Sequence, residues 1–127
     1  MLTPYEMAAI AAKALDDKKA KNIKVLRTSE HTTLADYFVI CNGTSTTQNK
    51  ALIDEVEKQL SEAGEPPIRR EGQRSDMWVL IDFGSVVVHV FTEEARKFYD
   101  LERLWSDSEE LDLASILPQP ETASPEA

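Results

Sequence analysis

Apolar positions along this chain follow two rhythms, one of helical spacing and one of strand spacing, and the switches between them divide it into elements. Near the start, Met7, Ile10, Ala11 and Ala14 recur at helical spacing and mark a narrow stripe. Thr3, Pro4 and Glu6 stand just ahead of it: a threonine that caps, a proline at the first helical position and a glutamate placed for the reciprocal capping bond. A first helix is predicted there, with the charged run 16–21 as its exit. Residues 23–27 then read as a short strand and residues 35–41 as a second. Tyr37, Phe38, Val39 and Ile40 run without polar alternation, which predicts burial on both faces.

Gly43 breaks that strand, and Ser45 with Gln48 has the spacing of another capping box. Leu52, Val56, Leu60 and Ala63 line the buried stripe of the helix that follows. Gly64 suits its C-terminal cap, and Pro66 and Pro67 stop it from continuing. Residues 68–71 leave room for a short edge strand. Residues 77–83 and 85–91 are β-rich and parted by Gly84, the pattern of a tight hairpin. Within 77–83, Trp78, Leu80 and Asp82 share one face, and Met77, Val79, Ile81 and Phe83 share the other. The second set is wholly apolar and belongs to the core, so Trp78 either lies on the less buried face, where a large aromatic can anchor an interface, or caps the core beneath a helix. Thr92 caps a last helix with Glu93 and Glu94 in its first turn, and Phe91, Ala95, Phe98, Glu102 and Trp105 share one face of it. The alternation of strands and helices predicts one α/β domain over residues 1–106.

Composition adds a tail to this picture. Beyond Ser106 the chain loses its aromatics, gains acid and finishes with Pro118, Pro120 and Pro125 among small polar residues, so residues 107–127 are expected to stay largely disordered. With 127 residues in all, there is room for one core and one site. The formal charge is −9, yet six of those acids, from Asp107 to Glu126, lie in the tail and leave the body near −3. A mildly acidic body opposes docking on phosphate backbones, so direct nucleic-acid contact is expected to be minor at most.

Cys41 is the one cysteine, which excludes an intramolecular disulfide and a multi-cysteine metal site. The start lacks the basic flank and apolar run of a signal peptide, and nowhere do 18 apolar residues follow one another, so a cytoplasmic protein with no membrane segment is expected. His89 lies among large apolar neighbours in the 86–90 run and reads as a structural histidine, and Cys41 reads as a buried thiol. The Gly43-Thr44-Ser45 turn from strand to helix could present backbone N–H groups to a phosphate, but any capped β-to-α connection has the same look. An Asp-x-Asp pair of the kind that holds magnesium in nucleotidyltransferases is missing: Asp54 and Glu55 are neighbours on a helix, and Asp76 and Asp82 stand too far apart. No cofactor and no catalytic residue is expected.

Three stretches taken together carry a further signal: Leu34 through Ser45 (LADYFVICNGTS), Trp78 through Phe91 (WVLIDFGSVVVHVF) and Glu93 through Trp105 (EEARKFYDLERLW). In order and separation they resemble the ribosomal silencing factor family, also called Iojap-like, over about residues 2–107. The resemblance implies a mixed sheet of about five strands flanked by helices, related to the nucleotidyltransferase fold but without its catalytic carboxylates. It implies a translational repressor that binds the large ribosomal subunit through ribosomal protein number fourteen, blocks joining of the small subunit under starvation, and forms a homodimer when free. It also assigns the binding surface to Trp78 and Tyr99, with charged support from Asp82, Glu94, Lys97 and Asp100. Two alternatives remain beside it: an assembly factor for the large subunit that uses the same surface, and a nucleotidyltransferase-like enzyme or nucleotide binder built on Gly43 to Ser45.

Overall fold

A computed structural model describes residues 2–27, 35–72, 78–99 and 109–111. The first helix, α1 (Pro4–Asp17), opens as its capping residues dictate. The Thr3 hydroxyl accepts from the Glu6 N–H at 3.1 Å, and the Glu6 carboxylate accepts from the Thr3 N–H at 2.9 Å. Its buried stripe is wider than the predicted one, taking in Met7, Ala8, Ala11, Ala12, Ala14 and Leu15 and leaving Ile10 at the border. The helix ends in a Schellman pair: the Lys19 N–H donates to the Asp16 carbonyl and the Ala20 N–H to the Leu15 carbonyl, both at 2.9 Å. Lys19 takes the left-handed position (φ 64°) that glycine usually fills, so no glycine announced this stop.

Strand β1 (Lys21–Arg27) pairs antiparallel with β2 (Tyr37–Gly43), with a register irregularity between Lys21 and Lys24 where Asn22 adopts φ 53°. β2 runs through Gly43, two residues further than expected, and Phe38 to Asn42 are buried throughout, as their unbroken apolar run predicted. Helix α2 (Thr46–Glu62) is capped by the Ser45 hydroxyl, which accepts from the Gln48 N–H at 3.0 Å. The other half of the expected box is displaced by one residue, because the Gln48 side-chain oxygen accepts from the N–H and hydroxyl of Thr44. Leu52, Ile53, Val56 and Leu60 are buried, whereas Ala63 is the exposed C-cap and not part of the stripe. Gly64 (φ 92°) closes α2 as predicted, with the Glu65 N–H donating to the Leu60 carbonyl at 2.8 Å.

Strand β3 (Arg69–Glu71) pairs with β4 (Trp78–Asp82), which forms a hairpin with β5 (Val86–Thr92) through Gly84 (φ 89°) and Ser85. β5 also runs parallel to β2, which makes the sheet mixed, in the order β3-β4-β5-β2-β1-β6. The sixth strand, β6 (Glu109–Glu110), lies past the boundary expected at residue 106. It pairs antiparallel with Leu26 and Arg27, and the Leu111 N–H donates to the Val25 carbonyl at 2.9 Å. Two acidic residues carry no strand signal in the sequence, and a backbone ladder to β1 supplies what their side chains do not.

Strand parity sorts the interior into two clusters. Val25, Val39, Cys41, Ile81, Val86, Val88 and Val90 meet α1 and α2 on one face. On the other, Leu26, Phe38, Ile40 and Phe91 pack with Ala95 of helix α3 (Glu93–Tyr99) and with Trp78 and Val87. Thr92 caps α3, its hydroxyl accepting from the Ala95 N–H at 3.2 Å.

Candidate partner-binding site

The hairpin register sets Trp78 opposite Phe91 and Leu80 opposite His89, so Trp78 and His89 are diagonal neighbours on one face of the sheet. Trp78 is half-buried, as expected from its place opposite Val79 and Ile81. Its ring stacks on Phe91, with centroids 5.3 Å apart and planes 27° apart. The indole Nε1–H donates to Nδ1 of His89 at 3.2 Å. An accepting Nδ1 puts the imidazole proton on Nε2, and that atom is buried with no hydrogen-bond partner. Phe38 meets the same imidazole edge to face at 4.9 Å. Burial pushes the His89 pKa down from 6.5 to about 4, so the ring is neutral at pH 7 and Nδ1 remains an acceptor. The histidine is structural, as its apolar neighbours suggested, but it holds a tryptophan and does not merely fill space.

The other expected contact residues divide. Asp82, four residues along β4 from Trp78, is committed to its own hairpin: its carboxylate accepts from the Gly84 N–H at 2.7 Å and pairs with Arg69 at 3.3 Å. Glu94 and Lys97 are exposed on α3, which begins directly after Phe91 and Thr92. Tyr99 ends that helix, and its side chain lies outside the described part, as does Asp100. The structure therefore joins Trp78 through Phe91 to the start of α3 and sets Asp82 at the far end of its strand.

A buried polar clamp positions α3, and nothing in the sequence pattern pointed to it. Arg96, 9% exposed, donates through Nη1 to the Asn22 carbonyl and to Oδ1 of Asn42 at 3.1 Å, and the Asn22 amide also donates to that oxygen at 3.1 Å. The irregular turn at Asn22 is what brings its carbonyl to the arginine. The missing signal is long-range: Arg96 and Asn42 are 54 residues apart. The Trp78–His89 diagonal was nearer to hand, since both residues lie in the predicted hairpin, but a turn at Gly84 alone sets the register one residue off the observed turn at Gly84 and Ser85.

The runner-up site has a shape of its own. At the ends of the parallel strands β2 and β5 lies a recess of about 380 Å³, lined by Lys21, Asn42, Gly43 to Thr46, Thr92, Glu93 and Glu94. The carboxylates of Glu93 and Glu94 oppose a phosphate there. Among the described residues no group of three or more His, Cys, Asp or Glu is placed to hold a metal ion. Asp54 pairs with Arg70 at 3.0 Å, and Glu55 accepts from Gln59 at 2.7 Å, so both have partners within the fold. Cys41 is buried, and desolvation pushes its thiol up to about 12, which leaves it protonated and unreactive.

The likeness to known proteins places the chain in a class. The family model described as "Ribosomal silencing factor during starvation" matches residues 2–127, including the acidic end that the three motif stretches do not reach. A ribosomal silencing factor from Halalkalibacterium halodurans is 40% identical over 116 residues, which cover 91% of this chain and 99% of that one. The crystal structure of a protein from Chromobacterium violaceum superposes with a TM-score of 0.80 at 37% identity, covering 94% of this chain and 92% of the other. A mouse protein named for mitochondrial assembly of the ribosomal large subunit is 36% identical over 95 residues, 72% of this chain and 42% of its own length. This chain belongs to the ribosomal silencing factor family.

Proposed function

We propose that this protein is a non-enzymatic translational repressor of the cytoplasm that docks on the large ribosomal subunit through ribosomal protein number fourteen and so obstructs joining of the small subunit. The observation that carries this reading is the half-buried Trp78, stacked on Phe91 beside the start of α3. A large aromatic held rigidly with part of its surface open is the type of residue that anchors interfaces. Tyr99 is the second anchor, and Glu94, Lys97 and Asp100 form the charged rim. Asp82 contributes by holding the hairpin in shape. When free, the protein pairs with a second copy of itself.

Sedimentation of purified subunits with and without the protein tests the reading. Co-migration with the large subunit and a fall in the joined ribosome peak are the expected outcomes. Migration with the small subunit, or no effect on joining at saturation, contradicts it. The name of the mouse relative favours a second reading, in which the same surface serves large-subunit assembly. That reading predicts accumulation of immature large subunits when the protein is depleted during growth.

A further inference from the structure

His89 occupies the middle of β5, on the aromatic face, at a position where phenylalanine would fill the same space. It stacks nearly parallel to Phe91 (8°, centroids 6.3 Å apart) and meets Phe38 edge to face, so its neighbours are those of an aromatic core residue. Yet one of its nitrogens is buried without a partner, a desolvation cost that phenylalanine would not carry. What the imidazole offers in return is an acceptor 3.2 Å from the indole nitrogen of Trp78. A buried indole N–H favours such a partner, and this bond adds a directional restraint to the stacking of the Trp78 ring on Phe91.

We propose that His89 is a positioning residue for docking: its Nδ1 accepts the Trp78 indole proton and fixes the edge of the ring that the sheet presents to the partner. This rests on the reading of Trp78 as an anchor. The contact also requires one protonation state, because a charged imidazole has no acceptor to offer. Burial secures that state at neutral pH. The free protein therefore meets its partner with the anchor already oriented, and no ordering of the ring is needed on binding.

The test has two independent readouts. In the wild-type protein, nuclear magnetic resonance should detect scalar coupling across the hydrogen bond between the Trp78 indole nitrogen and Nδ1 of His89. Absence of coupling, with an indole proton that exchanges as fast as a solvated one, overturns the proposal without any variant. Binding to isolated large subunits is then compared for His89→Leu and His89→Asn, side chains of nearly the same shape, of which only the amide places an oxygen where Nδ1 stands. His89→Leu should weaken binding about five- to tenfold, the worth of one hydrogen bond, with His89→Asn recovering most of it. In a Trp78→Ala background the two substitutions should bind alike, since the group that His89 holds is gone. Equal losses for His89→Leu and His89→Asn in the wild-type background, or the same further loss in the Trp78→Ala background, overturn the positioning role. If Trp78→Ala itself binds like wild type, the docking site is elsewhere and the proposal falls with it.

Discussion

Beneath α1 and α2 the sheet is faced with valines, an isoleucine and a cysteine that carry no hydrogen-bonding demand beyond a thiol, whereas its opposite face is built from Phe38, Phe91, Trp78 and His89. The first face meets a helix surface of Ala8, Ala11, Ala12 and Ala14, and small residues against β-branched ones allow close approach with few voids. Little there depends on orientation beyond fit, apart from the edge-to-face pair of Tyr5 and Tyr37 at its border. The second face is directional, since each ring has an edge, a face and in two cases a polar atom. If the proposed docking surface holds, stability is drawn chiefly from the face where packing is non-directional, and recognition from the face where orientation matters.

The largest effect should come from breaking the first face. Leu52→Ala empties a fully buried site between α2 and the sheet and should lower stability by about 3 kcal/mol, read by urea denaturation. Binding to large subunits, measured where the variant is still folded, should change little. A strong loss of binding by folded Leu52→Ala would show that the two faces are not separable. Trp78→Ala is the reverse case. It should cost about 2 kcal/mol or more of binding, roughly thirtyfold in Kd, while circular dichroism reports a folded domain. An unfolded Trp78→Ala would assign the tryptophan to the core instead.

Acid sharpens the comparison, because the second face holds His89, the one histidine among the described residues. His89 takes up its proton near pH 6.5 in the unfolded chain but only near about 4 in the folded one. Between those values the unfolded state binds the extra proton, so stability is full above 6.5 and is lost as pH falls toward 4. From pH 7 to pH 5 the wild type should lose about 2 kcal/mol more than His89→Phe, which has no such group. Equal pH dependence of the two in denaturant titrations would mean that His89 is solvated or already charged in the fold.

Much of this arrangement could be read before any coordinates. The parity of Trp78 against Ile81 assigned the two faces of β4, and the caps at Thr3, Ser45 and Gly64 set the helix ends, because each is a local rule acting over a few residues. The stop at Lys19 escaped because a left-handed lysine is imposed by the chain on either side and not by its own preference. β6 and the Arg96 clamp escaped for a related reason: both join segments far apart in sequence, through backbone groups or polar atoms that leave no periodicity. Of the residues expected at the site, the half-buried position of Trp78 was legible from strand parity, whereas Glu94 and Lys97 entered only through the family resemblance. The engagement of Asp82 with Arg69 was not legible, since Arg69 sits on a neighbouring strand.

The smallest effect is expected at the rim, where α3 leaves the aromatic face. Glu94 is exposed in the first turn of α3, close to the helix's positive end and on the border of the recess beside β2 and β5. Substitution to lysine therefore removes a favourable helix-end charge worth less than about 1 kcal/mol and should leave melting nearly unchanged. Its effect on binding should appear in the rate of encounter. If the partner surface is basic, Glu94→Lys should slow association severalfold at low salt, leave dissociation almost untouched, and lose that difference as ionic strength rises and screens the exposed charge. Stopped-flow or surface-based kinetics at two salt concentrations separate these terms. A change confined to the dissociation rate would place Glu94 inside a desolvated contact beside Trp78, and the boundary between anchor and rim would move onto the helix.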